Sequence, residues 1–249
     1  MTTETATSLF FNGRSSRPGG PMLRALVFDL DDTLYCERDF LASGFRAVAE
    51  HLSATCGRPR DEIHQMMMAT LAREGRRSVM PAVLARFPDS GFQVADLVSI
   101  YRSHTPQIRL FTGYDGLLKE LRARYRLGIV TDGAPDVQKA KCAALGLEGA
   151  VDSIIYTWEY GLEKEKPHPF PFRLMLRCLQ APPDEALFIG DSLEKDCRGA
   201  RGVGMKCVRV QQPPIIWGAE SGEEADFVIE SLLQLPLVLR QLEGPDEPA

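Results

Sequence analysis

Ala25-Leu26-Val27-Phe28-Asp29-Leu30-Asp31-Asp32-Thr33 is an apolar run that ends in acid. Four apolar residues bounded by polar ones read as a buried strand. Side chains alternate along a strand, so Asp29 and Asp31 are expected to project in one direction from its carboxyl end, where open α/β sheets bind ligands. Two carboxylates converging there repel unless a cation lies between them or one keeps its proton. Asp-Asp-Thr is also an ordinary turn and capping sequence, so this stretch alone leaves a structural reading open. A calcium loop fits poorly, because its sixth position is Leu34 rather than glycine and its twelfth is Phe40 rather than glutamate.

Three later stretches add to it. Leu127-Gly128-Ile129-Val130-Thr131-Asp132-Gly133 reads as a second strand with a polar tip, where Thr131 can donate to a phosphate oxygen and Gly133 lets backbone amides approach an anion. Thr131, Asp132 and Gly133 are therefore candidate substrate contacts. In Glu163-Lys164-Glu165-Lys166-Pro167-His168-Pro169 the prolines keep Lys166 in a loop before a helix that begins near Phe170. A fixed ammonium there balances negative charge on nucleophile and substrate, while Lys164 reads as part of a solvated charge run. Ala186-Leu187-Phe188-Ile189-Gly190-Asp191 is another strand ending in acid, with Asp196 in the first turn of the next helix. Hard oxygen donors from separate strand ends suit an octahedral Mg²⁺.

In this order and spacing, over residues 22 to 232, the four segments resemble the haloacid dehalogenase superfamily of phosphohydrolases. Its Asp-x-Asp-x-Thr motif is matched by Asp29, Asp31 and Thr33, its Ser/Thr by Thr131, its Lys-Pro by Lys166 and Pro167, and its Gly-Asp-x-x-x-x-Asp by Gly190, Asp191 and Asp196. The resemblance implies that Asp29 is a nucleophile forming an aspartyl-phosphate. It implies that Asp31 protonates the leaving alcohol and then deprotonates water, and that Mg²⁺ is bound by Asp29, the backbone carbonyl of Asp31, and Asp191. Thr131 and Lys166 would hold the phosphoryl group, and Asp196 would orient Lys166 or a metal-bound water. Neighbouring negative charge and desolvation are expected to raise the pKa of Asp31.

The family's dehalogenases lack the second acid and need no metal, so Asp31 and Asp191 argue against dehalogenation. Phosphonate cleavage would call for a lysine in the inserted segment, yet Glu37 to Ile108 contains none. Asp-Leu-Asp-Asp-Thr-Leu-Tyr, and Thr-Asp-Gly followed by Gln138 and Lys141, resemble phosphatases of nucleoside monophosphates and of phosphorylated sugars or sialic acids. The implied partner is a small phosphorylated metabolite. A sugar phosphomutase using the same residues and a non-catalytic binding protein on the same fold stay open as alternatives.

Strands alternating with helices predict a doubly wound parallel sheet, a Rossmann-like core over residues 22–36 and 109–249. Residues 37–108 carry helical apolar stripes and read as an inserted all-helical cap: Leu41, Phe45, Val48, Ala49 and Leu52; Ile63, Met66, Met67 and Leu71; Val79, Val83, Leu84 and Phe87; Val94, Leu97, Val98 and Tyr101. Met66-Met67-Met68 reads as core filler. In the loop that leads into this segment, Arg38 is a candidate for a substrate carboxylate or hydroxyl, or for a pair with Glu37 or Asp39. After the cap, Pro135 opens a helix carrying Val137, Ala140, Ala144 and Leu145.

A net charge of -5 from 29 basic and 34 acidic residues argues against a nucleic-acid polymer or anionic membrane as partner. No apolar stretch approaches the roughly 20 residues of a membrane span. Cysteines 36, 56, 142, 178, 197 and 207 show no Cys-x-x-Cys spacing and are expected to be reduced buried thiols in a cytoplasmic protein. The Ser-, Thr-, Gly- and Pro-rich residues 1–21 read as a disordered tail, and the protein as a monomer or homodimer.

Overall fold

The computed structural model describes residues 22–212 and 225–244. The tail expected to be disordered, residues 1–21, lies outside the described residues. Strand β1 (Ala25–Phe28) is followed by four helices, α1 (Glu37–Cys56), α2 (Arg60–Glu74), α3 (Arg76–Arg86) and α4 (Val94–Ser103). The chain then alternates through α5 (Tyr114–Arg122), β2 (Arg126–Thr131), α6 (Pro135–Ala144), β3 (Ser153–Tyr156), α7 (Pro169–Leu179) and β4 (Ala186–Gly190). A π-helical turn, Leu193–Cys197, runs into the short α8 (Arg198–Arg201), and β5 (Lys206–Val210), β6 (Phe227–Ile229) and α9 (Leu235–Glu243) complete the described chain.

The six strands form one parallel sheet in the order β3-β2-β1-β4-β5-β6. β1 is central, and Phe28 lies opposite both Ile129 of β2 and Ile189 of β4. The strand tips therefore end level with one another, and the loops beyond them open on one edge of the sheet. Switching from β2 on one side of β1 to β4 on the other makes this edge the crevice where such sheets bind ligands.

The apolar residues of the strands divide by parity, as a sheet covered on both faces requires. Leu26, Phe28, Leu127, Ile129, Leu187 and Ile189 join one core with Leu117 and Leu118 of α5, Val137 of α6 and Val238 of α9. Ala25, Val27, Val130 and Phe188 join a second with Phe172, Met175 and Leu176 of α7. The first core continues without a break into the four inserted helices through Phe45, Val48, Leu52, Ile63, Met67, Val79, Val83, Leu97 and Tyr101.

The inserted stripes hold with one exception, Val94, which is 41% exposed at the first residue of α4. On α6 the difference is larger. Ala144 is exposed, and the buried face carries Val137, Gln138, Lys141 and Cys142, so two polar residues take inward positions that an apolar stripe cannot reveal.

The cysteines depart from expectation. Cys197 and Cys207 form a disulfide across ten positions of sequence, joining the π-turn after β4 to β5, while Cys178 is exposed. The crossover from β4 to β5 brings the two together, which spacing along the chain does not show. No helix among the described residues is long and apolar enough to cross a membrane.

Phe172 is fully buried, its ring centroid 5.1 Å from that of Phe188, and it fastens α7 to β4. Phe172→Ala is expected to lower the unfolding free energy by about 3–5 kcal/mol, read from the urea midpoint at constant slope.

Candidate active site

β1 delivers Asp29 one residue beyond its last ladder position, its N–H still donating to Ile189 O at 2.9 Å. The Asp29 carboxylate accepts from Lys166 Nζ on one oxygen and from the Thr33 hydroxyl at 3.4 Å on the other. Lys166, only 3% exposed, donates a second bond to Asp196 Oδ1 at 2.7 Å. Burial alone would lower the pKa of this lysine, but Asp196, Asp29 and Asp132 outweigh it and hold the ammonium well above its usual range. Removing one member of such a buried group leaves uncompensated charge in the interior.

Backbone around the tips is shaped to allow this. A Cβ on Gly190 would stand 2.2 Å from Asp196 Oδ2, so only glycine at the end of β4 leaves room for that carboxylate. Ser192 N–H donates to Asp196 Oδ2 at 3.2 Å, and the Ser192 side chain accepts from Lys195 N–H, which starts the π-turn. On the lysine side, Asp132 Oδ1 accepts from the Thr157 hydroxyl at 2.7 Å and from Lys166 N–H at 3.1 Å. Asp132 therefore holds the lysine loop from the tip of β2. Trp158 Nε1 donates to Glu165 at 3.1 Å and steadies the same loop.

Asp31 has a separate set of partners. β1 stops at Phe28 and the chain turns before Asp31, whose hydrogen bonds go to groups other than those that hold Asp29. Its carboxylate accepts from the Tyr35 hydroxyl, from Lys141 Nζ at 2.7 Å and from Gln138 Nε2 at 2.9 Å. Burial pushes its pKa up, but Lys141, Tyr35 and Gln138 together bring it below the usual carboxylate range, the reverse of the expected direction. Gln138 Nε2 also donates to Thr131 Oγ1 at 2.5 Å, which ties the hydroxyl at the end of β2 to Asp31. Asp32, at φ 56°, accepts from Glu37 N–H at 2.8 Å and so caps α1, as the structural reading of this stretch allowed.

Arg38 is exposed on the first turn of α1. Glu37 pairs instead with Arg76 of α3 at 3.2 Å, and Arg76 donates to the Tyr101 hydroxyl of α4 at 3.3 Å. Tyr35, Gln138, Lys141, Glu37, Arg76 and Tyr101 thus join the neighbourhood of Asp31; Tyr35, Gln138 and Lys141 belong to the pattern that carried the resemblance, but no role was read for any of the six there. The available signal was a polar pair three residues apart on the helix after Thr-Asp-Gly, a spacing that puts both on one face.

One oxygen from each of Asp29, Asp191 and Asp196 lies within 4.8 Å of the others. Burial raises the Asp29 pKa to about 8 against the pull of Lys166, and burial together with Asp196 and Asp29 raises Asp191 to about 9. Carboxylates that cluster this way and resist ionisation are a donor set that a hard divalent cation fits. Lys166 and Ser192 engage the two oxygens of Asp196, as Lys166 and Thr33 engage those of Asp29.

The chain matches the haloacid dehalogenase-like hydrolase family over residues 26–210. It is 27% identical over 229 residues to a glyceraldehyde 3-phosphate phosphatase of Methanocaldococcus jannaschii, spanning 89% of this chain and 99% of that one. Its structure is similar to that of a HAD phosphatase from Thermococcus onnurineus (TM-score 0.57, 27% identity, 87% and 98% of the two chains). In fold it also resembles a putative HAD-hydrolase of Bacillus subtilis bound to magnesium (TM-score 0.59, 23% identity, 88% and 99%). With Lys166, Asp29 and Asp196 joined beside the tips of one parallel sheet and the family's model matching residues 26–210, this chain belongs to the haloacid dehalogenase-like hydrolases.

Proposed function

We propose that this protein is a Mg²⁺-dependent phosphatase of small phosphate monoesters, of the sugar phosphate or nucleoside monophosphate type, acting through an aspartyl-phosphate on Asp29. The observation that carries the reading is the buried Lys166 bridging Asp29 and Asp196, with Asp191 beside them. A carboxylate attacks a phosphate dianion only where negative charge is offset, and these residues supply that setting. The M. jannaschii relative, named for a three-carbon sugar phosphate, supports a small substrate.

In this reading Asp29 and Asp191, with the backbone carbonyl of Asp31, would hold Mg²⁺. The ion, when bound, supplies positive charge to the phosphoryl oxygens and lowers the repulsion that attack must overcome. Lys166 offsets charge on the nucleophile, and the Thr131 hydroxyl, whose oxygen already accepts from Gln138, has its proton left for a phosphoryl oxygen. Asp29 forms the bond to phosphorus as the alcohol departs, and Asp31 gives that alcohol its proton. Asp31 then takes a proton from the water that releases Asp29. Entry of the phosphoryl dianion adds negative charge beside Asp31, which opposes Lys141 and favours a proton on the carboxyl.

Residues 37–108 act as the cap. Its helices place Phe40, Glu37, Arg76 and Tyr101 around Lys141 and Asp31, where the leaving group would lie. Arg38 is available at its edge to an anionic substrate.

Asp29→Asn is expected to reduce p-nitrophenyl phosphate hydrolysis in Mg²⁺ on the order of 10³-fold or more with an unchanged circular dichroism spectrum; turnover surviving that change would refute the nucleophile. Gly190→Ala, which pushes on Asp196 and through it on Lys166, should cost about 10- to 100-fold in kcat.

Metal binding should also depend on pH. Asp29 and Asp191 keep protons in the fold up to about 8 and 9, whereas the unfolded chain releases them near 3.8. The metal-free fold therefore holds more protons than the unfolded chain across that window and loses stability as pH rises through it. Mg²⁺ competes with those protons, so its stabilisation of the fold should grow from pH 6 to pH 9, measured as the rise in melting temperature on adding MgCl₂. A shift that is equal at both pH values would count against the assigned ligands.

A further inference from the structure

α6 turns two polar side chains inward, Gln138 at 2% exposure and Lys141 at 3%. A lysine buried this deeply forfeits hydration and stays charged only against a partner. That partner is Asp31: Lys141 Nζ donates to Oδ1 at 2.7 Å and stands 4.5 Å from the ring centroid of Phe40 in α1. Gln138 donates to the other oxygen, Oδ2, at 2.9 Å and to Thr131 Oγ1 at 2.5 Å. One helix face therefore grips both oxygens of one carboxylate and also fixes which way the neighbouring hydroxyl can donate.

The backbone makes room for the arrangement. Gly133 has φ 128°, and a Cβ there would stand 3.2 Å from Gln138 Cδ. Pro135 in the first turn sets the helix start, from which Gln138 and Lys141 follow one turn apart.

We infer that Gln138 and Lys141 are positioning residues, holding the Asp31 carboxylate for proton transfer at the leaving oxygen and aiming the Thr131 hydroxyl at the phosphoryl group. The inference rests on the phosphatase reading above and adds residues to it. In the first half-reaction the bond from Asp29 to phosphorus forms, the bond from phosphorus to the leaving oxygen breaks, and the Asp31 proton passes to that oxygen. In the second, the water oxygen bonds to phosphorus, the Asp29 bond breaks, and a water proton returns to Asp31. Neither half-reaction draws a proton from Lys141, so its contribution is to place Asp31.

Such a role predicts a dependence on the leaving group. p-Nitrophenolate departs without a proton, whereas an alkoxide requires one. In rapid-mixing experiments Lys141→Met should leave the pre-steady-state burst of p-nitrophenolate within about 3-fold of wild type, while phosphoenzyme formation from glycerol 3-phosphate slows by about 100-fold. Steady-state kcat should fall for both substrates, because release of Asp29 also uses Asp31, with KM for either changed little. Lys141→Arg, which restores the charge on a different geometry, should recover only part of the lost rate. Should Lys141→Met fail to fold, Gln138→Met carries the same test with the charge retained. Equal slowing of the first step for both substrates, or no slowing for either, overturns the inference and leaves the phosphatase reading intact. A wild-type protein that turns over neither substrate overturns the phosphatase reading itself.

Discussion

Lys166 stands between Asp29 and Asp196 in a space that water scarcely reaches, and the desolvation of its ammonium is offset by these two carboxyl groups. Each neighbouring feature answers to that constraint. β4 ends in a bare glycine so that Asp196 can come close, and Asp132 grips the backbone of Lys166 from the tip of β2. The π-turn that carries Asp196 is fastened to β5 by the Cys197–Cys207 disulfide. Three strands and a loop thus converge on one ammonium, which is how residues separated by 137 positions come into contact.

Around that point the acids divide into two kinds. Asp29 and Asp191 are raised by burial, and their ionised forms call for a cation. Asp31, two residues from Asp29, is lowered because Lys141, Tyr35 and Gln138 outweigh its burial. Carboxylates in one site but in different electrostatic surroundings can take different chemical parts. The division follows from which element faces each of them, the lysine loop and β4 for Asp29, α6 for Asp31.

The inserted helices are continuous with the same core as the sheet, so the surroundings of Asp31 are built as firmly as those of Asp29. Phe40 reaches Lys141 from α1, and Glu37, Arg76 and Tyr101 form a polar chain across α1, α3 and α4. This surface is mixed in charge and lies close to Asp31.

The parallel sheet and its helices were legible in the sequence because strands buried on both faces and amphipathic helices each impose a local period. That Asp29, Thr131 and Asp191 end strands was legible because each closes a short apolar run. Gln138 and Lys141 stood in the sequence only as part of a resemblance and Tyr101 only as part of an apolar stripe; their bonds to Asp31 and between Arg76 and Tyr101 were not legible, since these span between 25 and 110 residues. The disulfide was hidden for the same reason, its two halves meeting only through the crossover from β4 to β5. The sequence by itself determined which elements form and which acids end the strands, because those depend on near neighbours. Tertiary structure decided the partner of each acid, and with it the direction of each pKa, because pairing and burial depend on groups that folding brings together from distant parts of the chain.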